Sequence, residues 1–132
     1  MLLDTHVLIW LYLEPGKIGK GASERIEEAL KKGRLSSSAI SFWETAMLLK
    51  RRRVSFDVPV TVWRSKWLSA GLTEIPVTGE VCIVASDLEG LHSDPADRII
   101  IATALLTGVA LATADERILA WDGSLERVDP RG

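Results

Sequence analysis

Asp94-Pro95-Ala96-Asp97-Arg98-Ile99-Ile100-Ile101-Ala102-Thr103-Ala104-Leu105-Leu106-Thr107-Gly108-Val109-Ala110-Leu111-Ala112-Thr113-Ala114-Asp115 holds a helix, its stop and a strand in direct succession. Asp94 suits a helix cap, and Pro95 suits the first helical position, where the missing N–H has no helical partner to lose. Ile99, Ala102, Thr103 and Leu106 share one face. Ile100, Ile101, Ala104 and Leu105 make the opposite face apolar as well, which predicts a buried helix. Gly108 ends it. The apolar run 109–113 then reads as a strand that stops at Asp115. Short apolar strands joined by such helices build a parallel sheet covered on both faces.

The same alternation extends outward. Met1-Leu2-Leu3 reads as a buried strand that ends at Asp4, followed by a helix over 5–13 that Glu14-Pro15-Gly16 breaks. Residues 22–32 form an amphipathic helix with Ile26, Ala29 and Leu30 inward. Glu27–Lys31 and Glu28–Lys32 are spaced as i,i+4 pairs on its wet face, and Gly33 follows as a stop. Residues 35–39 are a serine-rich strand, and Ser41 is expected to cap a helix reaching Arg53. Pro59 opens a helix to Ala70. Residues 73–77, interrupted by Pro76, are expected at a sheet edge. A helix over 79–88 precedes Asp94, and residues 125–128 supply a fifth strand.

Composition agrees with one ordinary globular domain. The chain has 132 residues, 47% hydrophobic and 26% charged, with a formal net charge of −2. This excludes a disordered or fibrous chain and gives no overall basic character. Cys82 is the only cysteine, so no intrachain disulfide forms, and a reducing cytoplasmic compartment is expected. One cysteine and two histidines distant in sequence, His6 and His92, argue against a zinc site. The longest uncharged run, between Arg98 and Asp115, is too short to span a membrane, and the first residues do not read as a signal peptide.

In a parallel sheet the strand C-termini and helix N-termini share one edge, where ligands bind. Asp4 ends the first strand. Glu44 and Asp97 are placed in first helical turns, and Asp115 follows the fourth strand. Four carboxylates from four separate segments therefore face one edge. Two of them ~4 Å apart repel by about 4 kcal/mol at an effective dielectric of ~20, so the cluster calls for a cation or shared protons. An oxygen donor set favours a hard ion, Mg²⁺ or Mn²⁺. Such an arrangement suits metal-assisted phosphodiester hydrolysis. Each acid also has a purely structural explanation. Ser41-Phe42-Trp43-Glu44 fits a capping box, as does Asp94-Pro95-Ala96-Asp97, and acids in a first turn complement the helix dipole.

Four pieces, Leu3-Asp4-Thr5-His6-Val7-Leu8-Ile9-Trp10, Ser38-Ala39-Ile40-Ser41-Phe42-Trp43-Glu44, Asp94 through Ala104, and Ala112-Thr113-Ala114-Asp115, resemble in order and spacing the PIN-domain family, and within it the VapC-type toxins of toxin–antitoxin pairs. The resemblance implies a three-layer α/β/α fold around a mainly parallel sheet of roughly five strands. It also implies a metal-dependent endoribonuclease that leaves a 5′-phosphate, neutralised by a cognate antitoxin, and a homodimer or larger toxin–antitoxin assembly. The family's acidic quartet carries over onto Asp4, Glu44, Asp97 and Asp115. Asp4 and Asp97 are then direct metal ligands, Asp115 completes the pocket, and Glu44 holds a water or a second ion. Thr113 supports the site, and Asp94 is chiefly the helix cap.

Without the quartet, 14 acidic residues face 16 basic ones. Lys50-Arg51-Arg52-Arg53 is the densest basic run, and Arg51 lies on the face of Glu44, about 10 Å along the helix. Lys50, Arg51 and Arg98 are therefore nucleic-acid-binding candidates, although basic residues at a helix C-terminus also satisfy its dipole. Trp63 and Trp67, one turn apart, fit the core, an antitoxin interface or base stacking, in that order. His6 is read as structural. Gly16-Lys17-Ile18-Gly19-Lys20-Gly21 lacks phosphate-loop spacing. Two other function classes fit an acidic sheet edge: a receiver-like phosphoacceptor domain, and a non-catalytic partner-binding module.

Overall fold

The computed structural model describes residues 1–132. The elements run β1 (Leu2–Leu3), α1 (Thr5–Leu13), α2 (Lys20–Lys31), β2 (Ser36–Ser38), α3 (Ala39–Lys50), α4 (Val60–Ala70), β3 (Thr73–Ile75), α5 (Gly79–Asp87), α6 (Pro95–Thr107), β4 (Leu111–Ala112), α7 (Glu116–Leu119) and β5 (Arg127–Val128). A single 3₁₀ turn, Pro15–Lys17, links α1 to α2. The five strands form one sheet in the order β3-β2-β1-β4-β5, and every pairing is parallel. β1 is central and β3 is an edge strand, as Pro76 implied.

The strands are only two or three residues long, but their alternation sorts the core into two layers. Leu2 pairs with Leu111 and Leu3 with Ala112. Leu2 and Leu111 join Ile100, Ile101, Ala104 and Ile118 beneath α6 and α7. Leu3 and Ala112 face the other way, onto Val7, Leu8, Ile26 and Trp63 from α1, α2 and α4. Helix α5 packs on α6 through Val81, Ala85 and Ala102. Ile100, Ile101 and Ala102 are all fully buried, so α6 is enclosed on both faces.

Helix α3 departs from the sequence expectation at both ends. Its cap is Ser38, whose hydroxyl accepts the Ile40 N–H at 3.1 Å, because β2 runs into the helix without a linker. Ser41 therefore lies inside the helix, fully buried, and Glu44 sits in the second turn, not in a Ser41 capping box. The helix stops at Lys50, not Arg53. Arg52 adopts φ 55°, and the Arg52 and Arg53 N–H groups donate back to Leu49 and Leu48. This is the doubly bonded terminator usually built on glycine.

Trp63 is buried in an aromatic group with Tyr12, Phe42 and Phe56, and Trp67 packs half-buried against the same core. Trp63 therefore belongs to the core, and Trp67 flanks it. The glycine-rich stretch is also structural. Gly19 donates its N–H to Pro130 at 2.7 Å, and a Cβ at Gly19 would overlap the backbone of Arg131 and Gly132. No helix is long and apolar enough to cross a membrane.

Candidate active site

Three of the sheet-edge acids cap helices, which explains their placement. Asp4 caps α1 and accepts the Thr5 N–H at 2.8 Å. Asp94 caps α6 through Ala96 N–H at 3.0 Å, and Asp115 caps α7 through Arg117 N–H at 2.8 Å. The chain leaving β1 and β4 turns into a helix, so at Asp4 and Asp115 the cap and the sheet edge coincide; Asp94 caps α6 after the loop from α5, at the helix end that precedes β4.

Asp4 is 3% exposed, yet neither carboxylate oxygen lacks a donor. The Thr113 hydroxyl donates to its second oxygen at 2.7 Å and accepts the Asp115 N–H at 3.1 Å. Thr113 thus ties the ends of β1 and β4 together. Glu44 reaches in from α3. The Thr5 hydroxyl donates to its carboxylate at 2.5 Å, and the buried Ser41 hydroxyl lies 2.9 Å from Thr5 Oγ1. Asp4, Thr5, His6, Glu44 and Asp97 line one cleft of about 230 Å³. Glu44 and Asp94 also line an adjoining cleft of about 300 Å³ with Trp43 and Arg51. Asp115 stands on the far side of Asp97, where one ligand atom each from His92, Asp97 and Asp115 all lie within 4.8 Å of one another.

Crowding these carboxylates perturbs them unequally. Burial pushes Glu44 from the usual 4.5 up to about 7. The Thr5 hydrogen bond opposes this, while Asp4, Asp97 and Asp94 add to it. Burial also raises Asp97, against the His92 hydrogen bond and with help from Asp4, Asp94 and Asp115. Asp115 goes the other way. Burial raises it, but hydrogen bonds from the Arg117 side chain and backbone prevail and hold it low. A site in which one carboxyl titrates near neutrality, and another is shifted the same way, is one that a cation would relieve. The oxygen-rich donor set fits a hard divalent ion.

The linear pattern points to none of His92, Arg117 and Thr5 at this edge, whereas His6 has the structural role expected of it. Both histidines come to it despite their separation in the chain. His92 Nε2 lies 2.6 Å from Asp97 Oδ2. His6 Nε2 accepts the Ala114 N–H at 2.9 Å, with its Nδ1 3.6 Å from Asp4, a bracing role between the start of α1 and the loop after β4. Arg117 Nη2 lies 3.2 Å from Asp115 and 3.7 Å from Asp97. The remaining omission is Thr5, whose only sequence signal is its place directly after Asp4.

Two basic candidates change status. Arg98 is committed to backbone: Nε donates to Ala85 O at 2.9 Å, Nη2 to Leu88 O at 2.5 Å, and Nη1 to Leu91 O at 3.2 Å and His92 O at 3.3 Å. It fixes the loop carrying His92 and has no spare fork for RNA, which corrects its place among the nucleic-acid-binding residues. Lys50 is exposed at the end of α3 and lines neither cleft. Arg51 lines the cleft beside Glu44 and forms no ion pair.

A five-stranded parallel sheet in this order, with acids gathered at its C-terminal edge, is the layout of a PIN domain. Residues 1–123 match the PIN domain family, and the chain belongs to it. It is 36% identical over 119 residues to Ribonuclease VapC22 of Mycobacterium tuberculosis (strain ATCC 25618 / H37Rv), a match covering 89% of this chain and 88% of that protein. Among solved structures it resembles VapBC2 from Rickettsia felis bound to a DNA fragment from the promoter, with TM-score 0.69, 15% identity and 96% of each chain covered. It also resembles a toxin–antitoxin complex from Klebsiella pneumoniae, with TM-score 0.64, 21% identity, and 98% of this chain and 96% of that one covered. At those identities the two structures speak for the fold.

Proposed function

We propose that this chain, as one PIN-like domain, is a divalent-metal-dependent endoribonuclease that acts as the toxin of a toxin–antitoxin pair in the cytoplasm. The observation that carries the reading is the convergence of Asp4, Glu44 and Asp97 on one cleft, with Asp115 and His92 closing its far side. The kinship with a VapC ribonuclease supports RNA as the substrate and an antitoxin as the partner. A homodimer or larger assembly with that antitoxin fits the same kinship.

Asp4 and Asp97 would hold the ion directly, with Asp115 completing the set and Glu44 holding a water or a second ion. Mg²⁺ is the expected ion and Mn²⁺ the substitute. Such an ion supplies positive charge to a phosphodiester and acidifies a nucleophilic water. The protein's own residues do the rest. Thr113 and the Thr5 N–H lock both oxygens of Asp4 in place. His92 orients Asp97. Glu44, with a carboxyl near neutrality, can take and return a proton at its carboxylate oxygen.

The test is incubation of purified, antitoxin-free protein with total RNA and Mg²⁺, Mn²⁺ or chelator, beside Asp4→Asn and Asp97→Asn. Discrete fragments that require metal and disappear in both variants are expected. Cleavage that persists in both variants would overturn the site assignment. Folded, metal-loaded protein that leaves all RNA intact would favour a partner-binding role.

A further inference from the structure

Helix α3 presents one large aromatic side chain to water. Trp43 is 58% exposed, whereas Trp63 and Trp121 are buried and Trp10 and Trp67 are half-buried. His6, Tyr12, Phe42, Phe56 and Trp63 stack among themselves and with Trp10, and Trp43 takes part in none of these pairs. Trp43, Met47 and Arg51 recur at i, i+4 and i+8, so they form one stripe. That stripe is one wall of the 300 Å³ cleft, and Asp94, Pro95 and Ala96 at the start of α6 form the other. Glu44 belongs to this cleft and to the acidic one. Whatever lies beside Trp43 therefore lies next to the reacting centre.

We propose that this cleft is a nucleotide subsite: the Trp43 indole stacks an unpaired RNA base flanking the scissile bond, and Arg51 receives a backbone phosphate. The inference rests on the ribonuclease reading and names the part of the substrate that reading leaves open. Three features select a nucleotide. The cleft is too small for a helix some 10–12 Å across, and fits a single ring system. Its one cation is unpaired, as are Lys50, Arg52 and Arg53 beside it, so this end of α3 complements a phosphodiester chain. An exposed indole next to an arginine is the pairing that binds single strands with little regard to sequence. The base must be unpaired, because a duplex would keep its faces stacked on their neighbours.

The test measures binding of two labelled probes by fluorescence anisotropy: oligoadenylate, and an abasic ribose-phosphate oligomer of equal length. Both are titrated with Mg²⁺ into full-length Asp4→Asn protein carrying Trp43→Ala, Trp43→Leu, Trp43→Phe or Arg51→Gln. Trp43→Ala and Trp43→Leu should weaken oligoadenylate binding roughly ten-fold or more while leaving the abasic probe unchanged. Trp43→Phe should retain most of the affinity. Arg51→Gln should weaken both probes alike. Oligoadenylate should also quench intrinsic tryptophan fluorescence, by an amount that drops in Trp43→Phe. Unchanged oligoadenylate affinity in Trp43→Ala and Trp43→Leu overturns the subsite, and so does an equal loss for both probes in proteins with wild-type melting. If wild-type protein still cleaves total RNA in that case, only the subsite fails, and the Trp43 face is left to a protein partner. Wild-type protein that neither cleaves nor binds RNA overturns both readings.

Discussion

Glu44 is poised between a proton and a cation, and Glu44→Gln separates the two. In the metal-free protein its carboxyl titrates at about 7 in the fold, against 4.5 as its ordinary value. Between those values the folded state binds a proton that the unfolded state does not. Stability from this group is therefore complete below pH 4.5 and declines as pH rises through 7. The full shift corresponds to about 3 kcal/mol. Solvent on the open side of the cleft reduces this to about 2 kcal/mol. Glutamine has nearly the same shape, stays neutral, and its carbonyl can still accept the Thr5 hydroxyl. In chelator at pH 8, Glu44→Gln should therefore exceed wild type in urea-unfolding free energy by about 2 kcal/mol, and the gap should close on acidification to about 4.5. The other acids titrate in both proteins, so the difference reports Glu44 together with its coupling to Asp4, Asp97 and Asp94. Saturating Mg²⁺ should reverse the order, because only wild type offers the ion a carboxylate there. A variant no more stable than wild type at pH 8 in chelator would refute the reasoning, as would a gap that ignores pH.

Arg98→Ala should destabilise the fold by about 2–3 kcal/mol, since it strips the donors from the carbonyls of Ala85, Leu88, Leu91 and His92; urea unfolding measures this, and RNA binding per folded molecule should be unaffected at saturating Mg²⁺. Arg117→Gln should tighten Mg²⁺ binding, measured calorimetrically at low salt, by up to about five-fold, because the exposed guanidinium competes with the ion for Asp97 and Asp115. That gain should shrink as salt is added.

Much of the site was legible because it follows from connectivity. When strands and helices alternate in a parallel sheet, every strand end and every following helix start fall on one edge. Asp4, Asp97 and Asp115 could therefore be placed without coordinates. The buried α6 was equally plain, since a helix apolar all round has only one place to go. Glu44 reaches that edge from the second turn of its helix, not from a capping box. Helix α3 begins at Ala39, directly off β2, so Glu44 is a second-turn residue held by Thr5 and not a cap.

The residues that escaped the sequence sit in irregular loops, point away from their helical neighbours, or belong to a helix with no clear wet face. His92 lies only five residues before Asp97, but it sits in a loop without periodicity, and the path of that loop back over the first turn of α6 sets their contact. Arg98 follows Asp97 directly and looks like a companion of the site, but successive helical residues point about 100° apart, and its guanidinium swings to the carbonyls in and after the last turn of α5. In α3, Phe42 and Trp43 stand side by side and both faces carry apolar residues. Helical period fixes which residues share a face, not which face meets the core. Closure of α1 and α4 over Phe42 made that choice, burying Phe42 with Trp63 and leaving Trp43 in water beside Glu44. The linear pattern thus determined the sheet, its acidic edge and the class of chemistry, while tertiary packing decided which aromatic, which histidine and which arginine stand next to it, because periodicity fixes which residues share a face but neither the path of a loop nor the face that meets the core.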